Sequence, residues 1–178
     1  MDVVSFDLFD TLFYRKCAHP TDIFEMVGGK EFKEARIQAE KEARKQSPYE
    51  EITFYDIYAL LDGSLAQKEL ETEEANIYLN PRVHGYYKRS QGKTIIIASD
   101  MYLPKWFIQR QLELHGIKYH ELFLSSDLRV TKSTGNMFKK IVEKYPDKRI
   151  MHFDDRKDLC LIAERYGIEG AWTRKWEG

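Results

Sequence analysis

The sequence predicts an α/β fold: a Rossmann-like, three-layer core on a parallel sheet, with a helical insertion after the first strand. Three observations predict it. Short apolar runs alternate with amphipathic stretches through most of the chain, which is the rhythm of strands joined by crossover helices. Each of the three strongest runs ends on a serine or aspartate. And one long stretch, residues 16–80, contains helical patterns but no strand-like run.

The elements follow in order. "DVVSF" at the start reads as a buried strand, as do "KTIIIAS" (93–99), "ELFLSS" (121–126) and "KRIMHF" (148–153), with a weaker "GAWT" at 170–173. Uninterrupted apolar runs of this length suit strands covered on both faces. Between them, helical patterns run from Leu103 to Gly116, Gly135 to Tyr145 and Lys157 to Gly167, with Gly116 and Gly167 at helix C-cap positions. Right-handed crossovers would place these helices on both faces of the sheet.

The insertion reads as helices from Thr21 onward, from Lys30 to Gln46, from Phe54 to Leu61 and from Leu65 to Leu79. "NPRVHGYYKRSQGK" then returns the chain to the core as a helix ending near Gly92. The expected division is therefore a core of residues 1–15 and 81–178 and a helical unit of residues 16–80.

Composition bounds the function. With 178 residues, 43% hydrophobic and 32% charged, the chain is sized and balanced for one folded core with a modest insertion. Its 28 basic and 29 acidic side chains give a net charge of −1, so the total charge favours neither nucleic acid nor an anionic membrane as partner. No apolar run approaches the roughly 20 residues of a membrane span, and the first residues lack a signal-peptide pattern. The expected compartment is the cytoplasm, with Cys17 and Cys160 as reduced, structural thiols.

Ligands of open parallel sheets bind outside the carboxyl ends of the strands. Asp7, Ser99 with Asp100, and Asp154 with Asp155 each follow the last apolar residue of a strand, so three polar groups converge on one edge.

These stretches resemble the four motifs of the haloacid dehalogenase (HAD) superfamily, in order and with similar spacing over nearly the whole chain. "SFDLFDTLF" is similar to the first, "IIIASDMYL" to the second, "KSTGNMF" to the third and "HFDDRKD" to the acidic fourth. The insertion after the first motif resembles that family's helical cap. The resemblance implies a hydrolase, in most members a magnesium-dependent phosphatase, acting on a small phosphorylated substrate. "DDR", the helix after it, "YGI" and Trp172 also resemble the end of the phosphatase domain of polynucleotide kinase–phosphatases, over too short a stretch to make a nucleic-acid end the expected substrate.

On this reading Asp7 is the nucleophile, attacking phosphorus to form an aspartyl-phosphate. A carboxylate approaching a phosphate dianion needs compensating positive charge. The resemblance assigns it to Mg²⁺ held by Asp7, the Phe9 carbonyl and Asp154, with Asp155 and Asp158 as further ligand candidates, and to Lys132. Three carboxylates within five positions are costly unless a cation binds there. Ser99 is the candidate donor to a phosphoryl oxygen. Thr11, Asp100 and Arg15 are the candidate residues beside the substrate, Asp100 holding its loop rather than reacting.

One feature departs from the family. Its phosphatases carry a general acid and base two positions after the nucleophile, where this chain has Phe9; the second carboxylate is Asp10, one position later. Asp10 is the candidate acid and base in its place, although strand alternation points a side chain one position along to the other face, so that it need not reach the same leaving group. Loss of a positioned acid typically costs about 10²- to 10⁴-fold in rate. Haloacid dehalogenases proper also carry an aromatic residue there, because a halide leaving group needs no proton. A metal-independent 2-haloacid dehalogenase, or a fold that binds ligands without turnover, are thus the alternatives.

Overall fold

The computed structural model describes residues 1–175. Five parallel strands form the main sheet: β1 (Val3–Phe6), β4 (Thr94–Ser99), β5 (Glu121–Leu124), β6 (Ile150–Asp154) and β7 (Glu169–Trp172), in the order β5-β4-β1-β6-β7. β1 is central. Phe6 pairs in register with Ile97 of β4 and Phe153 of β6, so the carboxyl ends of the three middle strands finish at one level.

Both faces of the sheet are buried, which explains the uninterrupted apolar runs. Along β4, Ile95 and Ile97 join Phe6, Leu8, Phe107 and Leu112 on one side. Ile96 and Ala98 join Phe123, Phe138, Ile141 and Ala163 on the other. The helices that supply these faces include α4 (Pro81–Arg89), α5 (Lys105–Leu114), α7 (Asn136–Lys144) and α8 (Lys157–Arg165), each within its sequence-predicted stretch. β5 is shorter than expected: its polar end, "SSDL", turns into the helical turn α6 (Ser125–Leu128).

The insertion contains α1 (Asp22–Gln46), α2 (Phe54–Tyr58), a 3₁₀ turn (Gly63–Leu65) and α3 (Ala66–Asn76). Two expected helices, from Thr21 and from Lys30, are one element broken at Gly29, whose φ of 86° only glycine adopts at little cost. The expectation of no strand in this stretch needs correction. The helix expected to reach Leu79 ends at Asn76, and β3 (Ile77–Leu79) pairs antiparallel with β2 (Phe13–Arg15), Arg15 opposite Ile77. This two-stranded ribbon carries the chain out of the core and back again. Its strands are three residues long, too short to show a period of two.

The insertion is tied down on the strand-end side of the sheet. Glu50 accepts hydrogen bonds from Thr131 N (3.0 Å) and Asn136 Nδ2 (2.6 Å), and Glu51 from Ser125 Oγ (2.8 Å). Phe54 N donates to Tyr102 O at 2.9 Å. Among the described residues, no helix is long and apolar enough to cross a membrane.

Candidate active site

Asp7 extends β1 by one hydrogen bond, its N–H donating to Phe153 O at 2.9 Å. The chain then turns instead of continuing as a strand. Thr11 N and Phe13 N both donate to Leu8 O at 2.9 Å, and Asp10 adopts the left-handed conformation (φ 66°), which aspartate tolerates better than most residues. The alternation expected for Asp10 therefore does not apply. Asp10 lines the same cavity as Asp7, and so does Phe9.

At the centre stands Lys132. Its Nζ lies 2.8 Å from Asp7 Oδ1 and 2.7 Å from Asp154 Oδ2, and its side chain is 1% exposed. Thr11 Oγ1 donates to Asp7 Oδ2 at 2.7 Å and accepts from Asp155 N at 3.0 Å, linking the two acidic segments. His152 Nε2 lies 2.9 Å from Asp154 Oδ2 and its Nδ1 2.8 Å from Ser5 Oγ. With Asp154 ionised, Nε2 carries the proton and Ser5 donates to Nδ1.

Asp100 accepts from Lys132 N (2.7 Å) and from Ser133 N and Oγ (3.3 and 3.2 Å), so it holds the loop that presents the lysine. The same loop ends at Gly135, with φ 86°, where an added Cβ would lie 2.5 Å from Tyr166 Oη. Only glycine fits there.

Oxygens of Asp7, Asp154 and Asp155 lie within 4.8 Å of one another. Burial, Asp154 and Asp155 push Asp7 up to about 8 despite Lys132. Burial, Asp154 and Asp10 raise Asp155 to about 6. Burial also works against Asp154, but Lys132 and His152 outweigh it and hold that carboxyl below the usual carboxylate range. Lys132 is itself desolvated, yet Asp154 and Asp7 keep it firmly protonated. One ammonium thus faces three carboxylates. That donor set, all hard oxygens with surplus negative charge, fits a divalent cation such as Mg²⁺. The Phe9 carbonyl accepts no hydrogen bond among the described residues, leaving it available as a further oxygen ligand.

The cavity of about 290 Å³ at these groups is lined also by Thr21, Phe24 and Glu40 of the insertion. Arg15 lines it too, fixed by two hydrogen bonds to Glu73, from Nε (2.9 Å) and Nη2 (3.0 Å), and lying 4.3 Å over the Phe9 ring. Thr11 and Ser99 are buried and are not among the lining residues, Ser99 closing β4. Asp158 is outside the carboxylate cluster: it is 60% exposed at the start of α8 and bound by Arg156 at 2.6 Å.

Ser5 carries no sign of a role in the sequence, whereas His152, in an apolar run, reads as a hydrogen-bonded core histidine rather than a ligand, and it is buried and bonded to Ser5 and Asp154. A signal for the contact with Asp154 existed, since His152 and Asp154 stand two apart on one strand and so share a face. Glu73 carried none, being 58 positions from Arg15.

The order of the strands, the acidic strand ends and the insertion after β1 define a class: the chain has the fold of the haloacid dehalogenase superfamily. The HAD-family enzyme BT-2542 from Bacteroides thetaiotaomicron superposes with a TM-score of 0.74 at 12% identity, covering 99% of this chain and 95% of that one. A complex of the same enzyme with magnesium and inorganic phosphate gives 0.70 at 13%, covering 100% and 96%. The L-2-haloacid dehalogenase from Xanthobacter autotrophicus gives 0.69 at 13%, covering 97% and 77%. No family model matches the chain, and no curated protein matches it by sequence.

Proposed function

We propose that the protein is a Mg²⁺-dependent phosphohydrolase that cleaves a small phosphate monoester through an aspartyl-phosphate on Asp7. Residues 1–15 and 81–178 serve as its catalytic core and residues 16–80 as its cap. The observation that carries this reading is the cluster of Asp7, Asp154 and Asp155 around one lysine, a surplus of buried negative charge that a metal ion would relieve. The magnesium and phosphate bound by BT-2542 support it.

Asp7, Asp154, Asp155 and the Phe9 carbonyl would hold the ion. When bound, Mg²⁺ supplies the positive charge that lets a carboxylate meet a phosphate dianion. An Asp7 oxygen attacks phosphorus as the ester P–O bond breaks, and Asp10 gives its proton to the departing alcohol oxygen. Asp10, then ionised, takes a proton from water as that water attacks phosphorus. The Asp7–phosphate bond breaks, releasing inorganic phosphate and restoring both aspartates. Lys132 stays protonated throughout and offsets charge on the transferring group. Asp100 and His152 act as positioning residues for Lys132 and Asp154.

A second reading, halide displacement from a 2-haloacid, is favoured by Phe9, which leaves an aromatic ring where family phosphatases place their acid, and by the likeness to an L-2-haloacid dehalogenase. One experiment separates the two. Phosphate release from a panel of phosphomonoesters, and halide release from 2-chloropropionate, are measured with Mg²⁺ and with EDTA. Phosphate release abolished by EDTA supports the phosphohydrolase; halide release indifferent to EDTA overturns it.

A further inference from the structure

Two polar groups in the cavity wall are left unused by the reaction just proposed. Arg15 commits Nε and Nη2 to Glu73, and Nη1 has no hydrogen-bond partner among the described residues, although the side chain is only 7% exposed. Tyr102, in the loop after β4, is 9% exposed and its phenolic oxygen has no partner there either. Both line the cavity, and Arg15 lies over Phe9, two residues from the proposed nucleophile. Both groups stand in the cavity wall with hydrogen-bonding capacity that no protein atom uses, and a few such polar groups among apolar ones are what orient a ligand in a pocket.

The surrounding charge decides what kind. Glu73 neutralises Arg15 in a paired, two-bond contact. Arg36, stacked 5.0 Å from the Tyr102 ring, is neutralised by Glu69 and Glu40. Arg156, the other guanidinium of the wall, is bound to Asp158. No cation in this wall is uncompensated, and Asp10 adds a carboxylate. A second anionic group on the substrate would be repelled, whereas an uncharged oxygen could accept from Arg15 and exchange a hydrogen bond with Tyr102. Phe9 and Phe24 offer apolar surface to a carbon skeleton.

We propose that Arg15 and Tyr102 form a leaving-group subsite that binds an uncharged oxygen of the alcohol. It would select phosphate esters of small neutral hydroxylated alcohols over esters bearing a second anion. The inference rests on the phosphohydrolase reading.

The test compares glycerol phosphate, ethyl phosphate and phosphoglycolate with Mg²⁺, in the wild type and in Tyr102→Phe. That substitution removes a hydroxyl with no protein partner and should not disturb folding. Wild type should prefer glycerol phosphate. The kcat/KM ratio of glycerol phosphate to ethyl phosphate should fall about five- to tenfold in Y102F, through KM, the effect of one lost hydrogen bond. Calorimetric binding of glycerol phosphate to Asp7→Asn should weaken by the same factor when Y102F is added. The double variant Arg15→Gln with Glu73→Gln, which leaves no unpaired buried charge, should lower the ratio in the same direction. A preference for phosphoglycolate, or equal effects of Y102F on all three esters, overturns the subsite and leaves the phosphohydrolase standing. No phosphate release from any monoester overturns the phosphohydrolase, and the subsite with it.

Discussion

Two buried charge clusters lie within this small protein, and they are built differently. Under the insertion, Arg36 is fully buried and bound at 2.7 Å by the equally buried Glu69, with Glu40 at 3.2 Å; Arg15 and Glu73 form a second close pair. Each cation there has its own carboxylate in two-bond geometry. At the strand ends, Lys132 pairs with both Asp7 and Asp154, and an oxygen of Asp155 lies in the same cluster with no cation of its own among the described residues. The first arrangement is complete, and its charges hold helices in place. The second is short of positive charge by construction, and such a deficit has a use only where a cation arrives with function.

The sharpest way to break the comparison is to remove a charge from each cluster. Asp7→Asn should lower phosphate release by at least about 10⁴-fold, as loss of a nucleophile does, while the metal-free protein keeps or gains thermal stability. It gains because one of the crowded carboxylates, already pushed up to about 8, is gone. Circular dichroism melting checks the second half, and a large drop in Tm would mean the cluster is structural.

Arg36→Met should do the reverse. It strands Glu69 without its cation at full burial, which typically costs about 3–5 kcal/mol. At about 2–4 °C per kcal/mol for a chain of this size, the Tm should fall by roughly 10 °C. Retention of full stability would show that this pair too is open to rearrangement.

Asp10→Asn should lower kcat about 10²-fold for esters of poor leaving groups, with a smaller loss for a nitrophenyl ester that needs no proton. Equal losses on both would remove Asp10 as the acid.

How much of this was legible depends on distance along the chain. The parallel core and its acidic edge were readable because each strand is a local apolar run with its polar end beside it. The face of Asp10 was misread because alternation holds only while a strand continues, and the chain leaves the strand after Asp7 through a left-handed residue. β3 hid at the end of a helical pattern, since its pairing with β2 lies 64 positions away for Tyr14 and Tyr78. The Arg15–Glu73 pair likewise exists only in three dimensions.

The smallest effect tests the finest distinction, which carboxylates of "DDRKD" belong to the metal. At saturating Mg²⁺, near 100 times Kd, binding to the folded state alone should add about 2.7 kcal/mol, a Tm rise of several degrees. Asp155→Asn should remove most of that rise, because its oxygen lies in the cluster with Asp7 and Asp154. Asp158→Asn should leave it intact and shift the metal-free Tm little, since an exposed ion pair with Arg156 contributes about 0–1 kcal/mol. The contrast follows from where the strand stops. Asp154 closes β6 and Asp155 follows it toward Thr11, whereas Asp158 lies in the first turn of α8 with its side chain in solvent. If D158N abolished the Mg²⁺ response and D155N did not, the ion would sit at the helix end rather than over Lys132, and the charge deficit at the strand ends would need another explanation.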